Sequence, residues 1–149
     1  MGDDIEARVR RLEDLLEIQQ LFVDYGRHLD AHDFDAYAAL FAETGEVLLG
    51  PLGRAKGRAE IKALMQRVMG AMAASNYHLV TNPTIALDGD RANSTVMWSV
   101  VDTGKDGAPA LTMLGRHVDV LVREDGRWKF EQRKGYIDLP KQFPPGGAG

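Results

Sequence analysis

The chain has 149 residues, a formal net charge of −4 and no cysteine. This length predicts a single domain over residues 1–149, with a core large enough to hold a pocket. The mild charge argues against nucleic-acid binding, and the absence of cysteine excludes disulfides, thiolate metal ligands and cysteine nucleophiles and suits a cytoplasmic protein. The N-terminus is charged and no apolar run approaches ~20 residues, so we expect neither a signal peptide nor membrane association.

The first third of the sequence is predicted to be helical. Apolar residues recur at spacings of three and four and predict a helix from about Asp4 to Ala31, with Asp14 among its exposed positions. A second, short helix is predicted to begin after an N-cap at Asp33 and to end at Gly45. The residues from Glu46 to Leu49 then indicate a short strand.

The remaining sequence is predicted to change from helix to antiparallel sheet. The segment GPLGRAKG indicates a loop or a hairpin tip, and a third helix is predicted from about Arg58 to Ala74. Beyond it the apolar period becomes two, and Asp-Gly turns separate β-rich runs, which predicts four strands at 77–87, 91–101, 110–123 and 127–138. The Pro- and Gly-rich residues 140–149 are expected to form a surface tail.

This order of elements predicts an α+β fold. Helices grouped on one side of a strongly curved, mostly antiparallel sheet can bury one common core, and a sheet wrapped around a long helix can enclose a conical pocket. Polar residues that face such a pocket are the candidates for chemistry.

Asp30 lies at the edge of the apolar stripe of the first helix. With Phe22 at the centre and about 100° per residue, Gly26 lies at about 40° and Asp30 at about 80° on the same side. A capping or solvent-exposed role is the alternative for Asp30, although a carboxylate near a helix C-terminus opposes the helix dipole. Gly26 would either open space beside Tyr25 and Asp30 or permit close packing against a strand.

Two histidines lie in predicted strands. His78 begins one strand and His117 lies in the middle of another, where each could be structural, line a cavity or, for His117, face a neighbouring subunit. The histidines have no metal-binding spacing, and neither a G-x-S-x-G nor a phosphate-binding glycine motif is present. Acid–base chemistry without a metal or a cofactor is the class that remains.

Four segments resemble the SnoaL-like branch of the nuclear transport factor 2-like superfamily, which has a cystatin-like α+β cone fold. They lie between about Leu15 and Asp138 and read EIQQLFVDYGRHLDAHDFDAYAALFAETGEV, GRAKGRAEIKALM, SNYHLVTNPTIAL and GRHVDVLVREDGRWKFEQR. The resemblance implies this fold. It constrains activity less, because the superfamily includes enzymes, binding proteins and accessory subunits.

Within this branch the sequence is similar to scytalone dehydratase, bile-acid 7α-dehydratase and hexachlorocyclohexane dehydrochlorinase. These lyases pair an aspartate at the end of the first helix with a histidine at the start of a later strand, which implies a dyad of Asp30 and His78. The similarity also implies a hydrogen-bonding role for Tyr25 and a charge-stabilising role for Arg133. His117 is a candidate for a second histidine.

The function implied is a cofactor-free, dehydratase-type elimination on a small apolar cyclic substrate of steroid, terpenoid or aromatic polyketide type. An isomerase or cyclase with the same base, a non-catalytic ligand-binding protein and an oxygenase-accessory protein are the alternatives. We expect a homo-oligomer, with a trimer favoured and a dimer as the second choice. The expected pocket residues are Phe22, Gly26, Leu49, Val68, Met72, Met97, Trp98, Met113 and His117.

Overall fold

The computed structural model describes residues 4–71 and 76–141. In this part of the chain three helices pack on an open, six-stranded mixed sheet. The helices are α1 (Ile5–Asp30), α2 (Phe34–Ala39) and α3 (Arg58–Gly70). The strands are β1 (Phe41–Leu48), β2 (Arg54–Lys56), β3 (Tyr77–Asp88), β4 (Arg91–Thr103), β5 (Pro109–Glu124) and β6 (Arg127–Leu139).

The strand order across the sheet is β2-β1-β6-β5-β4-β3. The parallel pair is β1 with β6, and the other neighbours are antiparallel, so the predicted mostly antiparallel α+β fold is confirmed. The four C-terminal strands follow one another as hairpins, and their bounds differ from the predicted ones by one or two residues. Chain order thus places β3 at one edge of the sheet, where it contacts α1.

The predicted N-cap at Asp33 forms, and Asp4 caps the first helix in the same way. The Asp4 carboxylate accepts a hydrogen bond from the Ala7 backbone N–H at 2.8 Å, and Asp33 accepts one from the Ala36 N–H at 3.0 Å. Each carboxylate satisfies a backbone donor that has no partner inside its helix. The second cap begins α2 three residues after Asp30, which fixes where the long helix ends.

The predicted end of the second helix is wrong. α2 ends at Ala39, and Gly45 lies inside β1, because Phe41 pairs with Phe130 of the parallel strand β6. The Gly45 backbone passes so close to its neighbours that an added Cβ would lie 2.9 Å from the Phe130 carbonyl oxygen. For GPLGRAKG the hairpin alternative is correct, because β2 returns antiparallel to β1.

Asp14 is a second correction, because this residue is buried rather than exposed. Its carboxylate accepts hydrogen bonds from the Trp128 indole N–H at 3.0 Å and from Arg123 at 2.7 Å. Burial acts to raise the pKa of Asp14, but these two donors outweigh burial and hold the pKa below its ordinary value. The contact therefore fastens α1 to the β5–β6 end of the sheet.

The core lies between the helices and one face of the sheet. Along α1 the buried apolar residues are Ile18, Leu21, Phe22, Tyr25 and Leu29. None of the helices in residues 4–71 and 76–141 has the length and apolar character needed to cross a membrane. The cytoplasmic location stays a prediction. The expected end of the third helix at Ala74 and residues 142–149 of the expected tail lie outside the described residues.

Candidate functional site

Asp30 and His78 are in direct contact. Asp30 is the last residue of α1 and His78 the second residue of β3, and Asp30 Oδ1 lies 2.6 Å from His78 Nδ1. The His78 backbone N–H also donates to the same carboxylate, at 3.0 Å to Oδ2 and 3.2 Å to Oδ1. A carboxylate accepts only, so Nδ1 carries a proton and the neutral imidazole keeps its lone pair on Nε2.

Gly26 allows this contact to form. An added Cβ at Gly26 would lie 3.2 Å from His78 Cβ and 3.4 Å from the His78 carbonyl oxygen. Asp30 lies one helical turn further along α1, so the same close approach brings His78 beside its carboxylate. Of the two alternatives for Gly26, close packing against a strand is the correct one.

A largely apolar cavity opens beside the dyad, and His78 forms part of its wall. The cavity is small, with a volume of about 70 Å³, below the roughly 300–1,000 Å³ of most small-molecule sites. The predicted site residues that line it are Tyr25, Leu49, Val68, His78, Trp98, Met113 and His117. The dyad therefore borders a small apolar cavity, which must widen to admit a ring-sized ligand.

Three predicted wall residues do not line the cavity. Met97 precedes Trp98 on β4, and successive strand residues point to opposite faces, so Met97 faces away from the helices. Phe22 is fully buried and packs against Phe130, deeper in the core. Gly26 packs on His78. Met72 lies outside the described residues.

The wall also contains residues that the sequence did not single out. They are Leu29, Leu52, Met65, Met69, Val100, Gly135 and Ile137. Periodicity could have found Val100, which shares a strand face with Trp98, and Leu29, which lies near the centre of the helical stripe. Leu52 belongs to a short 3₁₀ turn, where no sequence period applies.

Two glycines make room for two rings of the wall. Gly115 lies opposite Trp98 across β4 and β5, and a Cβ there would lie 2.4 Å from the indole. Gly135 lies opposite His117 across β5 and β6, and a Cβ there would lie 3.4 Å from the imidazole. Each ring therefore packs directly against the backbone of a glycine, and this close packing holds the ring near the sheet.

His117 is neutral in the folded protein. Burial lowers its pKa well below the ordinary value of 6.5, and the positive charge of Arg133 lowers it further. Its Nδ1 is buried without a hydrogen-bond partner in residues 4–71 and 76–141, as is Nε1 of the neighbouring Trp98. Since buried nitrogens are normally paired, these two mark the polar part of the wall.

Tyr25 lies between the cavity and the core. Its hydroxyl accepts a hydrogen bond from the Tyr37 hydroxyl at 3.0 Å, and its ring meets the His117 ring edge-on. Burial raises the pKa of Tyr25, against the opposing charge of Arg133, so the phenol keeps its proton. Tyr25 can therefore donate a hydrogen bond to a bound molecule.

Arg133 lies behind Tyr25 and does not line the cavity, which corrects its expected place beside the substrate. Its guanidinium donates to both carboxylate oxygens of Asp119, at 2.8 and 3.0 Å, and Ser94 donates to the same carboxylate. Arg133, Asp119 and Ser94 are cross-strand partners on β6, β5 and β4, so the register aligns them. The guanidinium also stacks on the rings of Tyr25 and Phe130, at 4.2 and 4.1 Å from their centroids.

The SnoaL-like domain family matches the chain over residues 10–134. The chain belongs to this family. Among solved structures, an NTF2-like protein with a cystatin-like fold from Novosphingobium aromaticivorans has 28% identity and a TM-score of 0.83, over 95% of both chains. This SnoaL-like membership and the cystatin-like neighbour confirm the resemblance seen in the sequence.

Two further relatives bear on the chemistry. A Novosphingobium aromaticivorans protein provisionally assigned as a scytalone dehydratase has 26% identity and a TM-score of 0.74, over 87% of both chains. An uncharacterized protein of Mycobacterium tuberculosis is 34% identical over 90 residues, which is 60% of each chain. The match thus spans 60% of the length of this curated relative.

Proposed function

We propose that this SnoaL-like protein is a cofactor-free lyase that eliminates water from a small apolar cyclic substrate, with His78 as the base. The observation that carries the proposal is the 2.6 Å contact between Asp30 Oδ1 and His78 Nδ1 at the cavity wall. It leaves Nε2 as the proton acceptor, and the Asp30 carboxylate stabilises the imidazolium that forms. Imidazole is suited to this task near neutral pH.

The proposed reaction begins with proton transfer from a substrate carbon, made acidic by a carbonyl group, to His78 Nε2. The electron pair left on that carbon forms the new double bond, and the bond to the leaving hydroxyl breaks. The imidazolium returns its proton to the hydroxyl, which departs as water, so His78 ends in its starting form. No carboxyl group lines the cavity within residues 4–71 and 76–141, so His78 acts first as base and then as acid.

Tyr25 is the proposed donor to the oxygen on which negative charge develops. It lines the cavity and keeps its proton, and a buried donor already held in place is worth more than one in water. Arg133 is a positioning residue in this scheme, because it touches the Tyr25 ring and not the cavity. Its positive charge opposes the effect of burial on the Tyr25 phenol, and thus makes the phenol a better donor.

The wall supports a substrate that is apolar but carries oxygen. Apart from Tyr25 and the two histidines, the side chains that line the cavity are aliphatic residues, methionines and Trp98. The unpartnered nitrogens of Trp98 and His117 would gain a partner from a carbonyl or hydroxyl oxygen. A hydroxylated ring ketone of steroid, terpenoid or aromatic polyketide type meets both requirements.

An isomerase or cyclase is the second candidate. The lining has no carboxylic acid dedicated to protonating a leaving group, and an isomerase needs none, because His78 would return the same proton to another carbon. The two candidates share the base and differ in product. A panel of cyclic β-hydroxy ketones, followed by mass spectrometry, separates loss of one water from an unchanged mass.

His78→Ala and Asp30→Asn test the base itself. On a turned-over substrate we expect the rate to fall by roughly 10²–10⁴ for His78→Ala, with ligand affinity retained. Asp24→Asn is the matched control for Asp30→Asn, since it removes a carboxylate from the same helix away from the cavity. Unchanged turnover in both dyad variants would refute the base. Ligand binding without turnover by the unaltered protein would favour a binding or oxygenase-accessory role.

A further inference from the structure

The N-terminal half of α1 carries apolar side chains that the fold does not cover. Ile5, Val9, Leu12 and Leu16 are between 46% and 70% exposed, in a helix whose second half is buried. Isolated exposed apolar residues are ordinary, but four on one helix face form a contiguous surface. These four residues are called the α1 stripe below.

The α1 stripe lies opposite the side of the helix that packs on the sheet. At about 100° per residue, its members fall at about 120–180° from Ile18, whereas the buried apolar residues fall within about 60° of Ile18. Further along, the same side carries the polar residues Gln20 and Arg27, with the half-buried Val23 between them. No side chain within residues 4–71 and 76–141 covers this surface, which leaves the stripe available to a second molecule.

The spacing of the stripe is that of a coiled-coil seam. Steps of four, three and four residues place Ile5 and Leu12 at d positions and Val9 and Leu16 at a positions. Arg8 then occupies a g position and Glu13 the following e position, on the two flanks of the stripe. Neither forms an ion pair within the described part of the chain, which leaves both charges available to a partner.

We propose that the α1 stripe is an interface between two copies of this chain, which pair as a short parallel coiled coil. In a parallel pair, Arg8 of each copy faces Glu13 of the other, so both flanks carry opposite charges. An antiparallel pair would instead bring Glu6 of one copy near Glu13 of the other, and these like charges repel. The charge pattern therefore selects a second copy in parallel orientation.

The rest of the molecule leaves room for this pairing. Each sheet lies on the 0° side of its own α1, and the partner helix lies near 150°, so the two domains extend to opposite sides of the pair. The stripe spans residues 5–16, about 18 Å of helix. Two such segments bury less than the roughly 1,200–2,000 Å² of a standard stable interface, so the association is expected to depend on concentration.

Sedimentation velocity of the full chain, at low to high micromolar concentration, tests the pairing. We expect the average mass of the unaltered protein to rise with concentration. Leu12→Asp places a charge in the seam and should abolish the rise of the average mass with concentration. Arg8→Glu and Glu13→Arg each convert two attractive pairs into repulsive ones, and each should raise the midpoint concentration by roughly tenfold.

An equimolar mixture of Arg8→Glu and Glu13→Arg gives the sharpest test. In a mixed pair both flanks again carry opposite charges, so the mixture should associate near the midpoint of the unaltered protein. Arg67→Glu, on the exposed side of α3, makes the same charge change away from the stripe and should have no effect. Concentration-independent mass, an unaffected Leu12→Asp variant or a mixture that fails to associate would each overturn the proposal.

Discussion

The two aspartates that face the helix side of the sheet have opposite surroundings. Asp30 accepts a hydrogen bond from the ring of His78, and its side chain is 20% exposed. Asp119 is 1% exposed and is fixed by two hydrogen bonds from Arg133 and one from Ser94. The His78 ring, as the partner of Asp30, can gain and lose a proton, which suits acid–base chemistry. The Arg133 guanidinium is permanently charged, so it makes Asp119 a structural anchor.

Loss of the buried anchor is expected to have the largest effect on stability. Asp119→Asn removes the counter-charge of Arg133, a buried group whose Nη1 already has no partner among the described residues. An uncompensated buried charge should lower the free energy of unfolding by roughly 3–5 kcal/mol, measured by urea denaturation. Glu131→Gln, on the same strand as Arg133, removes a carboxylate from an exposed ion pair with Arg91 and should cost much less. If Asp119→Asn lowered the free energy of unfolding by less than roughly 1 kcal/mol, the structural role of Asp119 would be contradicted.

The corresponding change at Asp30 should affect catalysis rather than folding. Asp30→Asn keeps an acceptor for the His78 backbone N–H but removes the charge that stabilises the imidazolium. We expect the turnover number to fall by roughly 10²–10³, with the free energy of unfolding changed by less than about 1 kcal/mol. Steady-state kinetics and urea denaturation on one preparation provide both values. A large loss of stability with normal turnover would show that Asp30 is a structural anchor, like Asp119, and takes no part in catalysis.

The same contrast explains what the sequence could predict. Asp30 was found because helical geometry placed it at the edge of one continuous stripe, and because the SnoaL-like resemblance supplied its distant partner, His78. Asp119 was not singled out, because its burial depends on the register of three strands. The Asp-Gly turn at 125–126 does bring β5 and β6 together, but one bulge, between Val120 and Leu121, shifts the pairing between this turn and residue 119. Periodicity alone therefore could not pair Asp119 with Arg133.

Arg133 and Met97 show why the remaining errors occurred. Arg133 was placed in the site by resemblance, whereas its actual partner lies directly across the strand pair. Met97 and its neighbour Trp98 were both assigned to the pocket, although alternation allows one of two consecutive strand residues to face it. Asp14 lies within about 40° of Ile18 on the helix, so its burial could have been expected, but its partner Trp128 is far away in sequence and could not be. Strand alternation could have excluded Met97, whereas the partners of Arg133 and Asp14 depend on contacts between distant segments.

His117 makes the stability of the folded protein depend on pH. Its pKa in the folded protein lies well below 6.5, so below pH 6.5 the unfolded chain binds a proton that the folded chain does not. The stability is therefore intact above about pH 6.5 and falls with decreasing pH, by up to about 1.4 kcal/mol per unit, until the folded-state pKa is reached. Urea denaturation between pH 7.5 and about 5.5 measures this slope.

His117→Gln should flatten that slope, because the substituted side chain does not titrate. His32→Gln is the matched control: His32 is exposed, so its loss should leave the slope as it is. Equal slopes in the unaltered protein and in His117→Gln would contradict a neutral, buried His117. If the slope disappeared in His32→Gln instead, the pH dependence would come from His32 and not from His117.

Gly26→Ala should produce the smallest effect and separates positioning from chemistry. The new methyl group would lie 3.2 Å from His78 Cβ, so β3 must shift by a few tenths of an ångström relative to Asp30. A displacement of about 1 Å can cost 10²-fold in rate, so we expect a loss of roughly three- to tenfold in the turnover number. The gain of roughly 1 kcal/mol in helix propensity should offset the strain and leave stability nearly unchanged.

Gly70→Ala is the control for this substitution, since it adds the same methyl group to a helical glycine with no neighbouring atom within 4 Å. It should leave turnover unchanged. The 2.6 Å contact is tight enough that the position of His78, and not only its identity, should set the rate. If Gly26→Ala keeps full turnover, the close approach of β3 to α1 serves packing alone, and the dyad tolerates a looser geometry than the structure has.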